Sequence, residues 1–424
     1  MKSVREETRG SDLSCDVGRL SAGGGLLLLV TRMLDRLKPG QVLRVDSGDP
    51  SVEHDLTAWA RLTANRCLDV KRSDGNTSVW LEKGQAARIL TRESADWGLR
   101  ASSGEEGLDT RALLLGRSAE IPEQADLSRG FSPRGAVVEE GSPEFSFDVV
   151  RANEAWSESA SELYEQATRG HWDSARDIPW AQLTPLEEEL ERAICQLMTF
   201  LAENEFAALY VPAKWIARIH PAFAETVFFL STQVRDEARH IEVFVKRALA
   251  NGGGLQFSTA STQASLKSLL DQEDFLQASF LLSVLGEGTF LDLLQYIDTH
   301  APEPVTREIA RRTRRDESRH VHFALGHVRA AIGQISGLKE KLRRAVFNRS
   351  SALSEVKGLN PLVEESLSIL AAGGLQAERL PQGMQARQDL YHTMHENRIR
   401  RLVSVGFTED EAAELSQLHT PNFM

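Results

Sequence analysis

The sequence predicts a multidomain protein: a small α+β two-layer sandwich followed by an all-α four-helix bundle with extra helices. Three observations predict it. Short strand-like and helix-like runs alternate over residues 13–85. Beyond residue 152, long segments carry apolar residues at three- and four-residue spacing, the period of an amphipathic helix. A five-residue signature also occurs twice, eighty residues apart, as DEARH at Asp236–His240 and DESRH at Asp316–His320.

Length and composition bound the rest. A chain of 424 residues predicts two or three domains, and 41% hydrophobic residues are ample for packed cores. A net charge of −12 argues against general binding to nucleic acid or to an anionic membrane, both of which want a basic footprint. The apolar run Leu26–Val30 is too short to span a bilayer and follows Asp12 and Asp16 rather than a basic segment, so the expectation is no signal peptide and a cytoplasmic protein. Cys15, Cys67 and Cys195 are scattered without C-x-x-C spacing and read as reduced thiols.

In the N-terminal domain, 13–85, Cys15–Leu20 reads as a first strand and Leu26–Leu37 as a helix ended by Lys38-Pro39-Gly40. Gln41–Asp46 follows as a second strand and Ser51–Thr63 as a second helix. Arg66–Arg72 and Thr77–Glu82 form a hairpin around Ser73-Asp74-Gly75-Asn76. The segment LKPGQVLRVDSGDPSVEHDLTAWARL, Leu37–Leu62, resembles the TusA-type sulfur-carrier family. That family's Cys-Pro pair should fall just after the first strand, where this chain reads Ser21-Ala22-Gly23-Gly24-Gly25. Neither Cys15 nor Cys67 is placed to substitute, so the domain is expected to dock a protein partner or to stabilise rather than carry sulfur.

Residues 86–150, with SSGEEG, Ser132-Pro133 and Ser142-Pro143, read as a linker with some ordered pieces. From there to residue 424 the pattern is helical, with helices expected over Asn153–Thr168, Pro185–Phe206, Pro221–Ala250, Gln263–Ile297, Val305–Ile332 and Gly337–Val346. The Asn251-Gly-Gly-Gly tract and His300–Pro304 interrupt the series, and further helices cover the bundle from Pro361 onward.

The signature carries the chemistry. Glu and His at i and i+3 project from one helix face about one turn apart, so each copy offers a carboxylate and an imidazole to one point. Each copy also follows an apolar helix bearing a glutamate about thirty residues upstream. For the second copy it is Glu287 within FLLSVLGEGTFLDLLQYI, where an ionised carboxylate needs a cation or strong hydrogen bonds. For the first it is Glu203 or Glu205 in FLAENEFAALY: comparison of the two halves favours Glu203, and spacing favours Glu205. Two such pairs plus two glutamates make a dinuclear carboxylate set.

With that constellation, residues of about 152–424 resemble the ferritin-like diiron carboxylate oxygenase superfamily. Glu205-Phe-Ala-Ala looks like the sequence around the first ligand of bacterial multicomponent monooxygenases, which selects Glu205. The resemblance makes Glu205, Glu237 and His240 ligands of one iron and Glu287, Glu317 and His320 ligands of the other, with Glu237 and Glu317 bridging. Manganese, alone or mixed with iron, suits the same donors. Asp236 and Asp316 would accept from the distal histidine nitrogens, and Arg239 and Arg319 would pair with those aspartates. By helical geometry His322 faces away from the centre, and His327 lies about two turns, roughly 10 Å, along the axis.

Departures narrow the family. Phe244 stands where ribonucleotide reductase small subunits have their radical tyrosine, Leu291 where multicomponent monooxygenases have a threonine, and Thr313 where aryl-amine oxygenases have an extra histidine. The leading expectation is an oxidoreductase activating O2, as co-substrate, to hydroxylate or otherwise oxidise a small organic substrate. The alternatives are a ferroxidase or peroxidase-type iron protein, and a non-catalytic metal-stabilised interaction protein. With no dinucleotide fingerprint and no clustered cysteines, a separate reductase or ferredoxin is expected to supply electrons. Membrane and nucleic acid are not expected partners, and a homodimer is compatible with the reading.

Overall fold

The computed structural model describes residues 10–84, 98–100, 108–110, 120–138, 142–353 and 360–418. The chain divides into two compact units, one built on the N-terminal sheet and the other on the long helices.

In the first unit, β1 (Leu13–Asp16), α1 (Leu26–Leu34), β2 (Val42–Ser47), α2 (Val52–Leu62), β3 (Arg66–Ser73) and β4 (Asn76–Glu82) follow in order. The sheet order is β1-β2-β4-β3, with β1 parallel to β2 and the other pairs antiparallel. The first strand lies earlier than expected, because Gly18 turns the chain at φ +60° and Ser21 caps a short helical turn over Ala22–Gly24. That capped turn is where the sulfur-carrier resemblance leads one to expect a Cys-Pro pair. Leu26, Val30 and Leu34 of α1 and Leu56 and Ala60 of α2 pack on Leu43, Val45, Val79 and Leu81 of the sheet. Cys15 is buried in this core, where burial and then Asp46 and Asp16 push its thiol up.

In the second unit the expected helix Asn153–Thr168 is two pieces, α3 (Ala152–Ala155) and α4 (Ala160–Arg169), because Trp156 is extended between them. Next come α5 (Glu188–Ile216) and α6 (Ala224–Ala250), α5 running ten residues beyond the expected end and through Pro212. The expected single helix Gln263–Ile297 is also broken: α7 (Ala260–Leu270) is followed by α8 (Phe275–Ser279), a π-helical segment Phe280–Glu287, and α9 (Gly288–His300). Then follow α10 (Pro304–Gln334), α11 (Leu338–Leu353), α12 (Pro361–Ala372), α13 (Leu380–Ser404) and α14 (Glu409–Gln417). The stretch Phe275–His300 is long and apolar enough to cross a membrane, and 83% of its apolar window is buried inside this protein.

Helix α5 packs along α6, and α10 along α9 and the π segment, while α12 and α13 cover α5 and α9. Four inward-facing elements, α5, α6, the π segment with α9, and α10, thus make a four-helix bundle. Part of the segment read as a linker packs with this unit: residues 120–134 and 143–150 belong to it. Ala125 donates to the Val150 carbonyl, Val149 bridges to Ile219, and Arg134 pairs with the buried Glu225. The SSGEEG stretch lies outside the described residues.

A buried ion network pins the far end of the bundle. Arg247 of α6 is fully buried and forks onto Glu191 of α5 at 2.6 and 3.1 Å, while its Nε reaches Glu303 at 3.0 Å and Thr306 at 2.7 Å. Glu303 also accepts from the Thr306 N–H and so caps α10. One guanidinium therefore joins three helices.

Candidate metal centre

The six residues expected from the sequence meet in the bundle interior. Ligand atoms of Glu205, Glu237, His240 and Glu317 lie within 4.8 Å of one another, as do those of Glu237, Glu287, Glu317 and His320. Glu237 and Glu317 are common to both groups, so the cluster has two centres sharing two carboxylates. All six side chains are buried. Glu205 enters the cluster from α5, whereas Glu203 points elsewhere and accepts from Ser258 and Gln263. Two residues along a helix is a turn of about 200°, so only one of the pair can face the interior.

Each imidazole faces carboxylates at both nitrogens, and His240 is hydrogen-bonded at both. His240 Nδ1 lies 3.0 Å from Glu237, 3.2 Å from Glu317 and 3.9 Å from Glu205, and His320 Nδ1 lies 3.0 Å from Glu237 and 3.4 Å from Glu317. Outward, His240 Nε2 is 3.2 Å from Asp316 and His320 Nε2 is 3.4 Å from Asp236. The pairing is crossed, since each histidine meets the aspartate of the other signature. The arginines cross as well: Arg239 bonds Asp236 at 2.5 Å and Asp316 at 2.7 Å, and Arg319 bonds Asp316 at 2.6 Å and Asp236 at 2.9 Å. These four charged residues form a buried, neutral lattice in which each ion has two opposite partners.

Several carboxylate oxygens remain without a hydrogen-bond donor, namely Oε1 of Glu205 and Glu237, Oε2 of Glu287 and both oxygens of Glu317. Buried anionic oxygens left unpaired are costly, and cations between them would satisfy the set. Without such cations, burial and then Glu237 and Glu317 push Glu205 well up, and burial and then Glu317 do the same to Glu287. For the histidines, burial alone would favour the neutral ring. Asp316, Glu237 and Glu317 overcome it at His240, as Glu237 and Asp236 do at His320, and both are raised well above the ordinary range. Burial likewise opposes the charge on Glu237, yet His320 and His240 hold it below the usual carboxylate range.

Three features of the centre were not read from the sequence. Gln233, one turn before Glu237, donates to Glu287 Oε1 at 2.9 Å and fixes that carboxylate. Trp172 donates its indole N–H to Asp316 at 2.7 Å and lies under the Arg239 guanidinium at 4.6 Å, while His171 stands between Arg239 and Arg235. The π segment ends on Glu287, with the Gly288 N–H reaching back five residues to Ser283. A π turn places one extra residue in the helix and re-aims the side chains around it. The signal available for it was Gly286-Glu287-Gly288 inside an apolar helix, since glycine weakens the α-helical alternative.

Helix α13 closes over this turn. A Cβ at Gly288 would come 2.5 Å from Arg401 Nε, Arg398 reaches Thr289 at 3.3 Å, and Asn397 donates to Asp292 at 2.7 Å. His322 is exposed, and His327 is buried with Nε2 2.9 Å from the Glu154 carbonyl, between Phe275 and Phe323. Phe244 and Thr313 are buried and Leu291 is partly buried.

No protein-family model matches the chain. Part of it is 33% identical over 89 residues to a putative sulfur carrier protein of Aquifex aeolicus (strain VF5), covering 20% of this chain and 41% of that protein. The chain thus spans less than half the length of that curated relative. Among solved structures it is similar to a point mutant of an R2-like ligand-binding oxidase with an anaerobically reconstituted Mn/Fe cofactor, at 20% identity and a TM-score of 0.41 over 57% of this chain and 94% of that one. It is also similar to the R2-like ligand-binding oxidase with an aerobically reconstituted metal cofactor after photoconversion, at 19% identity and a TM-score of 0.38 over 62% and 90% of the two chains.

Proposed function

We propose that the centre binds two metal ions, iron or manganese, and that the loaded protein activates dioxygen to hydroxylate or otherwise oxidise a small organic substrate. The observation that carries the reading is the pair of buried ligand groups sharing Glu237 and Glu317. In it, Glu205, Glu237 and His240 hold one ion and Glu287, Glu317 and His320 the other. Carboxylate with imidazole suits iron and manganese better than soft metals. A reduced pair of such ions, held there, would supply two electrons to one oxygen molecule.

The chain's own residues do the rest. The crossed aspartates face Nε2 of both imidazoles, which leaves Nδ1 turned inward, where it would serve as the metal-binding atom. Gln233 holds Glu287 in place. Burial of all six side chains keeps bulk water from the centre. Electrons come from a separate reductase or ferredoxin, and the sulfur-carrier-like unit serves as a docking module, since its helix N-terminus carries Ser21 and glycines in place of a thiol.

The test is anaerobic loading of the full chain with Fe(II) or Mn(II), metal analysis, and then oxygen uptake with and without candidate substrates. Two ions per chain and substrate-dependent oxygen uptake are expected, and Glu237→Ala and Glu317→Ala should lose both. Failure to bind either metal would refute the proposal. Uptake driven by excess Fe(II) alone would reassign the centre to iron oxidation.

A further inference from the structure

Between α4 and α10 lies an open cleft of about 600 Å³ with no part in the reading above. Its walls carry Arg169, Arg315, Arg319 and His322 against one carboxylate, Glu162, which already accepts from Gln166 at 3.1 Å. Arg315 is exposed and makes no ion pair among the described residues. Arg319 lies deepest, 7% exposed. Its Nη2 is committed to Asp236 and Asp316, its Nε has no hydrogen-bond partner, and its Nη1 has only the Arg315 carbonyl at a long 3.5 Å. That Nη1 lies against Gly170 on the cleft wall, where a Cβ would be 3.9 Å from it, and Arg315 Nη2 is 4.0 Å from the same point.

Spare guanidinium donors converging on one space, beneath a positive rim, are the chemistry of oxyanion recognition. We propose that this cleft binds the phosphate or carboxylate group of a small anionic molecule, with Arg315 gripping it at the rim, Arg319 beneath, and Arg169, which also faces Glu165 at 3.9 Å, adding positive charge beside them. The assignment does not depend on the metal function. It does have a consequence for the centre, because Arg319 is shared: an anion in the cleft competes with Asp236 and Asp316 for one guanidinium. Those aspartates face Nε2 of His320 and His240, so occupancy of the cleft is felt at both imidazoles, and the coupling is reciprocal.

The experiment titrates the full chain in metal-free buffer with inorganic phosphate and, separately, with succinate, sodium chloride holding ionic strength constant. Calorimetry follows binding, and nitrogen NMR follows the histidine side chains. Saturable binding of at least one anion is expected, and the tighter of the two identifies the group as phosphate or carboxylate. The double variant Arg169→Gln, Arg315→Gln should bind roughly tenfold more weakly or not at all, with its helical circular dichroism unchanged. The Nε2 signals of His240 and His320 should move with saturation in the wild type and stay still in the variant. No saturable binding of either anion, or equal affinity in the double variant, overturns the site. Binding with unmoved histidine signals overturns the coupling.

Discussion

Asp316→Asn is the sharpest probe of the crossed lattice. The substitution is nearly isosteric, yet Asp316 accepts from Arg239, Arg319 and Trp172 at 2.6–2.7 Å and faces His240 Nε2 at 3.2 Å. An amide removes the charge that Arg239 and Arg319 share with Asp236, and it presents N–H to one donor that needs an acceptor. Loss of a partner behind a ligating histidine typically costs 10- to 100-fold in metal affinity, about 1.4–2.8 kcal/mol. Four donors converge on this one carboxylate, so the upper end is expected here. Asp236→Asn should cost nearer 10-fold, because His320 lies farther off at 3.4 Å and, among the described residues, no tryptophan donates there. Competition of each variant against a chromogenic chelator for Mn(II) measures the affinities, and thermal melts run in parallel check the fold. A folded Asp316→Asn within twofold of wild type, or a larger loss in Asp236→Asn, would refute the reasoning.

Three further outcomes are expected. Glu205→Gln should lower metal content while Glu203→Gln leaves it unchanged, because only Glu205 lies in the cluster; elemental analysis of the two variants decides, and the reverse result would move the centre. Arg247→Met should cost about 3–5 kcal/mol in urea unfolding by leaving Glu191 and Glu303 buried without a cation, and a loss below about 1 kcal/mol would mean the network is not a net anchor. The last concerns pH. Glu205, Glu287, His240 and His320 all have raised values in the metal-free fold, so the native state binds protons more tightly than the unfolded chain. Their contribution to metal-free stability is full below the ordinary values of 4.5 and 6.5 and is lost as pH rises through the raised ones. Bound metal displaces those protons, so the gap in Tm between Mn(II)-loaded and metal-free protein should widen from pH 6 to pH 8. A gap that narrows over that range contradicts the assignment.

The cluster was legible because its chemistry is local. Glu and His at i and i+3, repeated, place four donors by helix geometry alone, and the buried Glu287 announces itself by sitting in an apolar run. Choosing Glu205 over Glu203 needed one face of α5 to be identified, and both lie in a helix apolar on several sides. What sequence could not supply were contacts made across the fold. Gln233 lies 54 residues from Glu287, and Trp172 lies 144 from Asp316. Both read as ordinary polar or core residues until the helices are assembled. The crossing of the two signatures is of the same kind, since i,i+3 spacing predicts the Asp236 to Arg239 pair but not that each histidine faces the other half's aspartate. The break at Trp156 and the π turn were missed because periodicity over a long apolar stretch scores a continuous helix equally well.

The crossed lattice also fixes when the molecule can be completed as it is made. Asp236 and Arg239 leave the ribosome early, but their opposite partners, Arg319 and Asp316, lie 83 and 77 residues later. Until α10 has been synthesised, the first half of the bundle holds a carboxylate, a guanidinium and an imidazole prepared for a second half that does not yet exist. Closure of the lattice therefore requires both halves of the bundle. A truncation anywhere before His320 should yield a chain that cannot bury its first signature except by borrowing the second from another copy.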